Sequence, residues 1–348
     1  TWPDSDVKTK MGMHHLALPS AVANNPVYNS IAAGVSTPYD ITDEFTLGGF
    51  WIRPYRNTAD DDLKNNDMDI FGLHADWNAD SFRLQPYLVY SRVGRDSGYW
   101  GSNTTTNPNH LDKINNAGAD DSYSNIYLGG AALNLKPTDK LTLNFDGIYG
   151  HMKSEADNIT SGFEKSSGWF LALGADYELG FVTPGVIAWY ASGDDKDDYD
   201  DGEMGVMPTI SQANSGFRPT RLGTSGFYSM GDGALVTCTG TGTWGFGAHL
   251  KNFSFAEDLS HTFRAFFFQG TNDKDLYTVD KAYFSNSLYL TEEDQGFELN
   301  FDSIYKVGDG LSLIMELGYI YIDWDRRNLR SYNEDNVWNA QLTFDYRF

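Results

Sequence analysis

Val337-Trp338-Asn339-Ala340-Gln341-Leu342-Thr343-Phe344-Asp345-Tyr346-Arg347-Phe348 forms the C-terminal end of the sequence. Apolar and polar residues alternate through it. Trp338, Ala340, Leu342, Phe344, Tyr346 and Phe348 share one face; Asn339, Gln341, Thr343, Asp345 and Arg347 share the other. Successive side chains of a strand point to opposite sides, so this reads as a strand with one greasy and one wet face. A soluble sheet would bury the greasy face under a second layer. A membrane barrel would turn it to lipid and the wet face to a lumen.

The same alternation recurs along the chain. Leu141, Leu143, Phe145 and Tyr149 alternate with Thr142, Asn144 and Asp146. Phe297, Leu299, Phe301 and Tyr305 alternate with Glu298, Asn300, Asp302 and Lys306, and Phe82, Leu84, Leu88 and Tyr90 oppose Arg83, Gln85 and Ser91. Scanning for this period predicts about fourteen strands. They lie near 7–17, 27–40, 45–56, 67–79, 82–94, 122–137, 140–154, 166–180, 181–194, 242–255, 261–273, 295–308, 311–324 and 335–348. No segment keeps a helical period.

Connections alternate between short and long. Turns such as Thr42-Asp43-Glu44, Pro137-Thr138-Asp139 and Gly308-Asp309-Gly310 have the Asn, Asp and Gly content of tight reversals. Between them fall the long polar stretches 57–66, 95–121, 155–165, 195–241, 274–294 and 325–334. Short turns at one end and long loops at the other are the habit of an antiparallel, up-and-down outer-membrane barrel. The expected architecture is therefore one all-β transmembrane barrel domain over 1–348, with 95–121, 195–241 and 274–294 as its largest loops on the outer side. Aromatics near strand ends, among them Trp51, Tyr55, Tyr87, Tyr90, Trp189, Tyr190, Tyr319, Tyr321 and Trp324, are expected to form interfacial girdles.

Composition agrees. Aromatics make up 15% of the 348 residues, while the mean hydropathy is only −0.45. Half-apolar strands give such averages. The longest apolar run, Leu311 to Ile322, contains Glu316 and falls short of the roughly 18–20 residues a spanning helix needs. A net charge of −23 argues against nucleic acid as a partner, because phosphate contacts need a basic surface. The single cysteine, Cys238, allows no internal disulfide framework. Thr1-Trp2-Pro3-Asp4 has no signal-peptide character, which fits a processed chain or a fragment.

Three stretches carry a family resemblance: Met11-Gly12-Met13 leading into Ala17-Leu18-Pro19-Ser20-Ala21, Phe50-Trp51-Ile52-Arg53-Pro54-Tyr55, and Trp189-Tyr190-Ala191-Ser192-Gly193-Asp194-Asp195. With the C-terminal Phe348, the chain resembles the homotrimeric outer-membrane porins of sulfate-reducing bacteria, and more weakly the alginate-export barrels. The resemblance implies a homotrimer of water-filled channels passing small solutes, set in a lipid bilayer with lipopolysaccharide. It also implies further strands before the Met-Gly element. Either fourteen strands close the barrel, or about sixteen to eighteen make the complete count, since such barrels have even strand numbers. Passive diffusion is the expected function; a substrate-specific channel or polysaccharide exporter is the alternative. No Gly-x-Ser-x-Gly elbow suggests an enzyme.

A channel needs fixed charge on its lumen wall. The candidates are Arg83, Arg264, Lys306, Glu298, Asp302, Glu316, Asp345 and Arg347, with Asp146 and Asp176 also on polar faces. Lys8, Lys10, Arg53, Arg56, Arg83 and Arg92 suggest a basic strip on the early wall that would attract small anions. Segment 195–241 is the first candidate for a constriction loop, with Arg218 and Arg221 as its charges, and 95–121 is the second, both on loop length. Asp194, Asp195, Asp197, Asp198, Asp200 and Asp201 offer the oxygens that Ca²⁺ binds, without EF-hand spacing. Adjacent His14 and His15 should face opposite ways and so not share a metal. Gly129 and Ala131, beside Leu133 and Leu135, together with Gly245 and Gly247, are expected to form low-profile outward patches suited to a subunit interface.

Overall fold

The computed structural model describes residues 8–56, 67–94, 97, 123–155, 164–210, 217, 219–220, 242–276, 290–308, 310–325 and 336–347. The first strands are β1 (Lys10–Ala17), β2 (Asn29–Asp40), β3 (Phe45–Arg56), β4 (Asp67–Ala79) and β5 (Phe82–Gly94). They are followed by β6 (Tyr123–Thr138), β7 (Leu141–Ser154), β8 (Lys165–Tyr177) and β9 (Thr183–Ala191). A short helix α1 (Lys196–Asp200) and a two-residue strand β10 (Glu203–Met204) come next. The wall resumes with β11 (Thr243–Phe253), β12 (Leu259–Gly270), β13 (Gln295–Gly308), β14 (Leu311–Asp323) and β15 (Asn336–Tyr346).

Every wall strand pairs antiparallel with the next wall strand, β9 passing directly to β11. β10 stands off this path and runs parallel to the start of β8. The wall strands coincide with the fourteen expected. Among the described residues β1 and β15 each pair on one side only, so hydrogen bonds do not close the sheet. The short connections 41–44, 80–81, 139–140, 178–182 and 254–258 all lie at one end of the wall; the strand ends that longer stretches of sequence join lie at the other.

The two faces of the wall differ as the alternation requires. Outward residues include Leu73, Leu88, Tyr127, Leu173, Phe246, Leu342 and Phe344, all well exposed. An apolar surface running round a whole wall cannot stand in water; it is a hydrocarbon-facing belt. Outward aromatics rim it at both ends. Trp169 stacks on Tyr190 at the long-loop end (centroids 4.6 Å apart), and Trp77 packs edge-on to Phe82 at the short-turn end (5.0 Å).

Four expected girdle residues lie elsewhere. Tyr55, opposite Met68 beyond the bulge of β3, turns inward and packs half-buried against the interior; Tyr87, Trp189 and Trp324 have inward parity and are buried. The last three belong to an apolar cluster that fills the long-loop half of the interior, with Ile52, Ile70, Ile126, Phe170, Phe266, Phe268 and Ile320. Aromatics satisfy either setting, and only strand parity separates them. The expected patch at Gly245 and Gly247 is likewise corrected. Both glycines face inward, where a Cβ would meet Trp189 and Phe266 respectively at 2.5 and 2.1 Å. They make room for the neighbouring rings rather than for another subunit. Gly129 and Ala131 do lie on the outward parity of β6.

Candidate functional site

The interior divides along its length. Toward the short-turn end the inward positions are polar, and their charges are matched by neighbours on adjacent strands. Asp76 on β4 takes Arg83 of β5 through Nε (2.9 Å) and Nη2 (2.6 Å), and Gln85 at 3.2 Å. Asn134 donates to Asn144 at 2.6 Å. Asp176 on β8 lies 2.6 Å from His249 Nε2 and 3.1 Å from Lys251 Nζ, both on β11. Arg264 pairs with Asp302 across β12 and β13. Asp302 stands opposite Glu316, which in turn stands opposite Gln341. Glu298 lies nearer the long-loop end, between Phe266 and Ile320, and accepts from Asn300 at 2.7 Å; at the short-turn end Arg347 reaches Asp345 at 3.0 Å. Thus Arg83, Arg264, Glu298, Asp302, Glu316 and Asp345 share the inward face, while Arg347 has that parity but is exposed past the end of β15. Lys306 has the same parity but is exposed beside the short turns. Phe348 lies outside the described residues.

The basic strip is not continuous. Arg53 and Arg56 bond to Asp67, and Arg53 also to Asp69, on the outward face at the long-loop rim. Arg92 is outward too, with its guanidinium 3.5 Å from the Tyr123 ring centre. Lys8 pairs with Asp40. Of the four arginines of the expected strip only Arg83 faces the lumen: Arg53 and Arg92 share the outward parity of Trp51 and Leu88, and the bulge of β3 between Ile52 and Tyr55 turns Arg56 outward as well.

Two segments fold from the long-loop end into the barrel. The described part of 195–241 runs over the inner wall from α1 to Ile210. Val206 N donates to Asp194 Oδ1 (3.0 Å), and Ser166 Oγ to the Val206 carbonyl (2.6 Å). A Cβ on Gly168 would lie 2.3 Å from Met207 N, and one on Gly150 would lie 2.9 Å from Pro208 Cδ. Both glycines thus let the segment approach the wall. Phe217 of the same loop packs against Phe170 and Trp189 at 5.0 and 5.4 Å. Arg218 and Arg221 lie outside the described residues, as does 95–121 apart from Ser97 and the centre of 274–294.

The second segment, residues 18–28, reads in sequence as the plain connection of two strands. Instead it doubles back inside the wall. Leu18 N bonds to Tyr28 O at its base (3.0 Å), and Ala23 and Asn24 turn its tip with φ of 51° and 77°. Leu18, Val22, Val27 and Tyr28 join the interior cluster. The sequence signal was present: Asn24-Asn25-Pro26 marks a turn, and Leu18, Val22, Val27 and Tyr28 are more apolar than a solvated loop needs.

The acidic stretch gives calcium no assembled cage among the described residues. Asp194 is buried and holds Val206 N, Asp195 Oδ1 takes Asp197 N at 2.8 Å, and no group of three or more His, Cys, Asp or Glu side chains converges. The Asp200 side chain lies outside the described residues. Burial, then the neighbouring Asp195, Glu203, Asp201 and Asp197, pushes the Asp198 carboxyl above its usual range. His14 and His15 take opposite faces, as expected.

Comparison with solved structures places this wall among known ones. The chain aligns over 98% of its length, and 74% of theirs, with the outer membrane protein OprD of Pseudomonas aeruginosa (14% identity, TM-score 0.52) and with OccAB2 of Acinetobacter baumannii (11%, 0.54). OccK10 of P. aeruginosa aligns over 99% of this chain and 81% of its own (14%, 0.54). The fold is that of an outer-membrane β-barrel. No protein-family profile matches the chain, and no curated protein matches it in sequence. At these identities the likeness shows the barrel fold, and the fold explains the outward belt.

Proposed function

We propose that this barrel is an outer-membrane channel for passive diffusion of small hydrophilic solutes and ions. One observation carries the reading: a wall with a hydrocarbon-facing exterior carries paired charges on its inward face. Charge at mid-membrane is costly toward lipid and useful toward water. The long loops then face outward from the cell and the short turns face the periplasm. No catalytic step is assigned. The inward segments narrow the lumen, which favours a substrate-selective channel over a wide polymer exporter.

The likeness to trimeric porins of sulfate-reducing bacteria rests on the Met11, Phe50 and Trp189 stretches. Association into a trimer in a lipopolysaccharide-bearing membrane is supported by the small outward residues Gly129 and Ala131. Reconstitution into planar bilayers tests the channel reading. Discrete, ohmic conductance steps are expected, and a purified, heat-modifiable barrel that gives none overturns it. Cross-linking in detergent should give trimers.

A further inference from the structure

We propose that Asp146 is the positioning residue that sets the size limit of the channel, by holding residues 18–28 across the lumen. The inference rests on the channel reading above.

Asp146 sits on the inward face of β7, between Ala132 of β6 and Ala172 of β8. These two small neighbours leave space over its carboxylate. The strap fills that space with three donors from consecutive residues. Ser20 Oγ donates to Oδ2 at 2.8 Å, Ala21 N to Oδ1 at 2.7 Å, and Val22 N to Oδ2 at 2.8 Å. Successive N–H groups converging on one anion form a nest, and bonds to a charged acceptor are roughly twice as strong as neutral ones. The carboxylate is 2% exposed, so these bonds stand in for lost water.

The strap starts at β1 and β2 yet touches the wall at β5, β7 and β8. Asn25 Nδ2 donates to the Tyr87 hydroxyl at 2.9 Å and to the Pro19 carbonyl at 2.8 Å. Val22 Cγ1 lies 3.8 Å from where a Cβ on Gly174 would stand. Below it opens a polar cavity of about 450 Å³ lined by Ser20, Arg83, Gln85, Asn134 and Lys136. Ser20 and Ala21 of the strap are part of that cavity's lining, so the strap's position bears directly on a solute's route through it. Asp146 has no solute-selecting geometry of its own, because its oxygens are engaged by the strap; it acts through the strap's position.

The test uses the full chain in planar bilayers, reading single-channel conductance and the exclusion limit for graded polyethylene glycols. Asp146→Ala should raise conductance about two-fold and admit larger polymers, since a pore's conductance follows its open section. Ser20→Ala, which removes one donor, should give a smaller rise. The pair Val22→Cys and Gly174→Cys is then added to Asp146→Ala in a Cys238→Ser background. Oxidation should restore wild-type conductance and exclusion limit, and reduction should abolish the rescue. A merely structural Asp146 would lower stability with the exclusion limit unchanged, and that outcome overturns the proposal. If Asp146→Ala does not fold, an unchanged exclusion limit in Ser20→Ala overturns it equally. A wild-type barrel without conductance would instead sink the channel reading itself.

Discussion

Ile210 donates its backbone N–H to the carbonyl oxygen of Val27 over 3.1 Å, and both side chains are fully buried. The bond joins the two inward segments to each other, so neither rests on the wall alone. Ile210→Ala would leave a cavity at this junction and should cost about 2–5 kcal/mol. Urea titration of the barrel in lipid vesicles measures it. A midpoint equal to wild type would show that the junction closes over the gap.

Among the described residues Arg83 is the one early arginine on the lumen face, held by Asp76. Arg83→Ala removes a positive charge and leaves the carboxylate uncovered. The reversal potential in a salt gradient should move toward cation preference. No movement would place this pair outside the ion path.

Leu88 is 65% exposed on the outer face, while Gln85, three residues earlier, faces inward. Leu88→Arg should destabilise the barrel in bilayers by about 2–4 kcal/mol if the position lies at mid-membrane. Gln85→Arg should cost far less. Equal costs would contradict the assignment of lipid-facing and lumen-facing parity.

The raised Asp198 carboxyl implies a pH effect at α1. A folded-state pKa above the unfolded one means the compact segment binds its proton more tightly, so stability there grows as pH falls and is lost as pH rises through that value. Amide exchange across 197–203, corrected for intrinsic rate, should be slower near about pH 4.5 than near pH 7. The opposite order would refute the crowding. A divalent cation would relieve the same repulsion, and calcium titration giving no heat beyond that of Mg²⁺ would remove a specific site.

Strand positions were legible because a half-buried strand writes its period directly into the sequence; Phe344 and Asp345 could only take opposite faces. Which aromatics turn inward was not. Tyr87 and Trp189 read as girdle residues because ring chemistry suits an interface and a packed interior alike. What decides them is the set of partners across the strands, such as Gly130, where a Cβ would lie 2.4 Å from the Tyr87 ring. The inward course of 18–28 was hidden for a related reason. Its chief partner, Asp146, is far along the chain, and from residue type alone that aspartate reads as one more lumen charge.

The bond between Val27 and Ile210 also bears on how the molecule assembles. A barrel whose contents are a separate domain can fold its shell and its filling independently. Here the filling is borrowed from two loops of the shell itself, and each loop's place depends on the other. Wall and interior should therefore melt in a single transition.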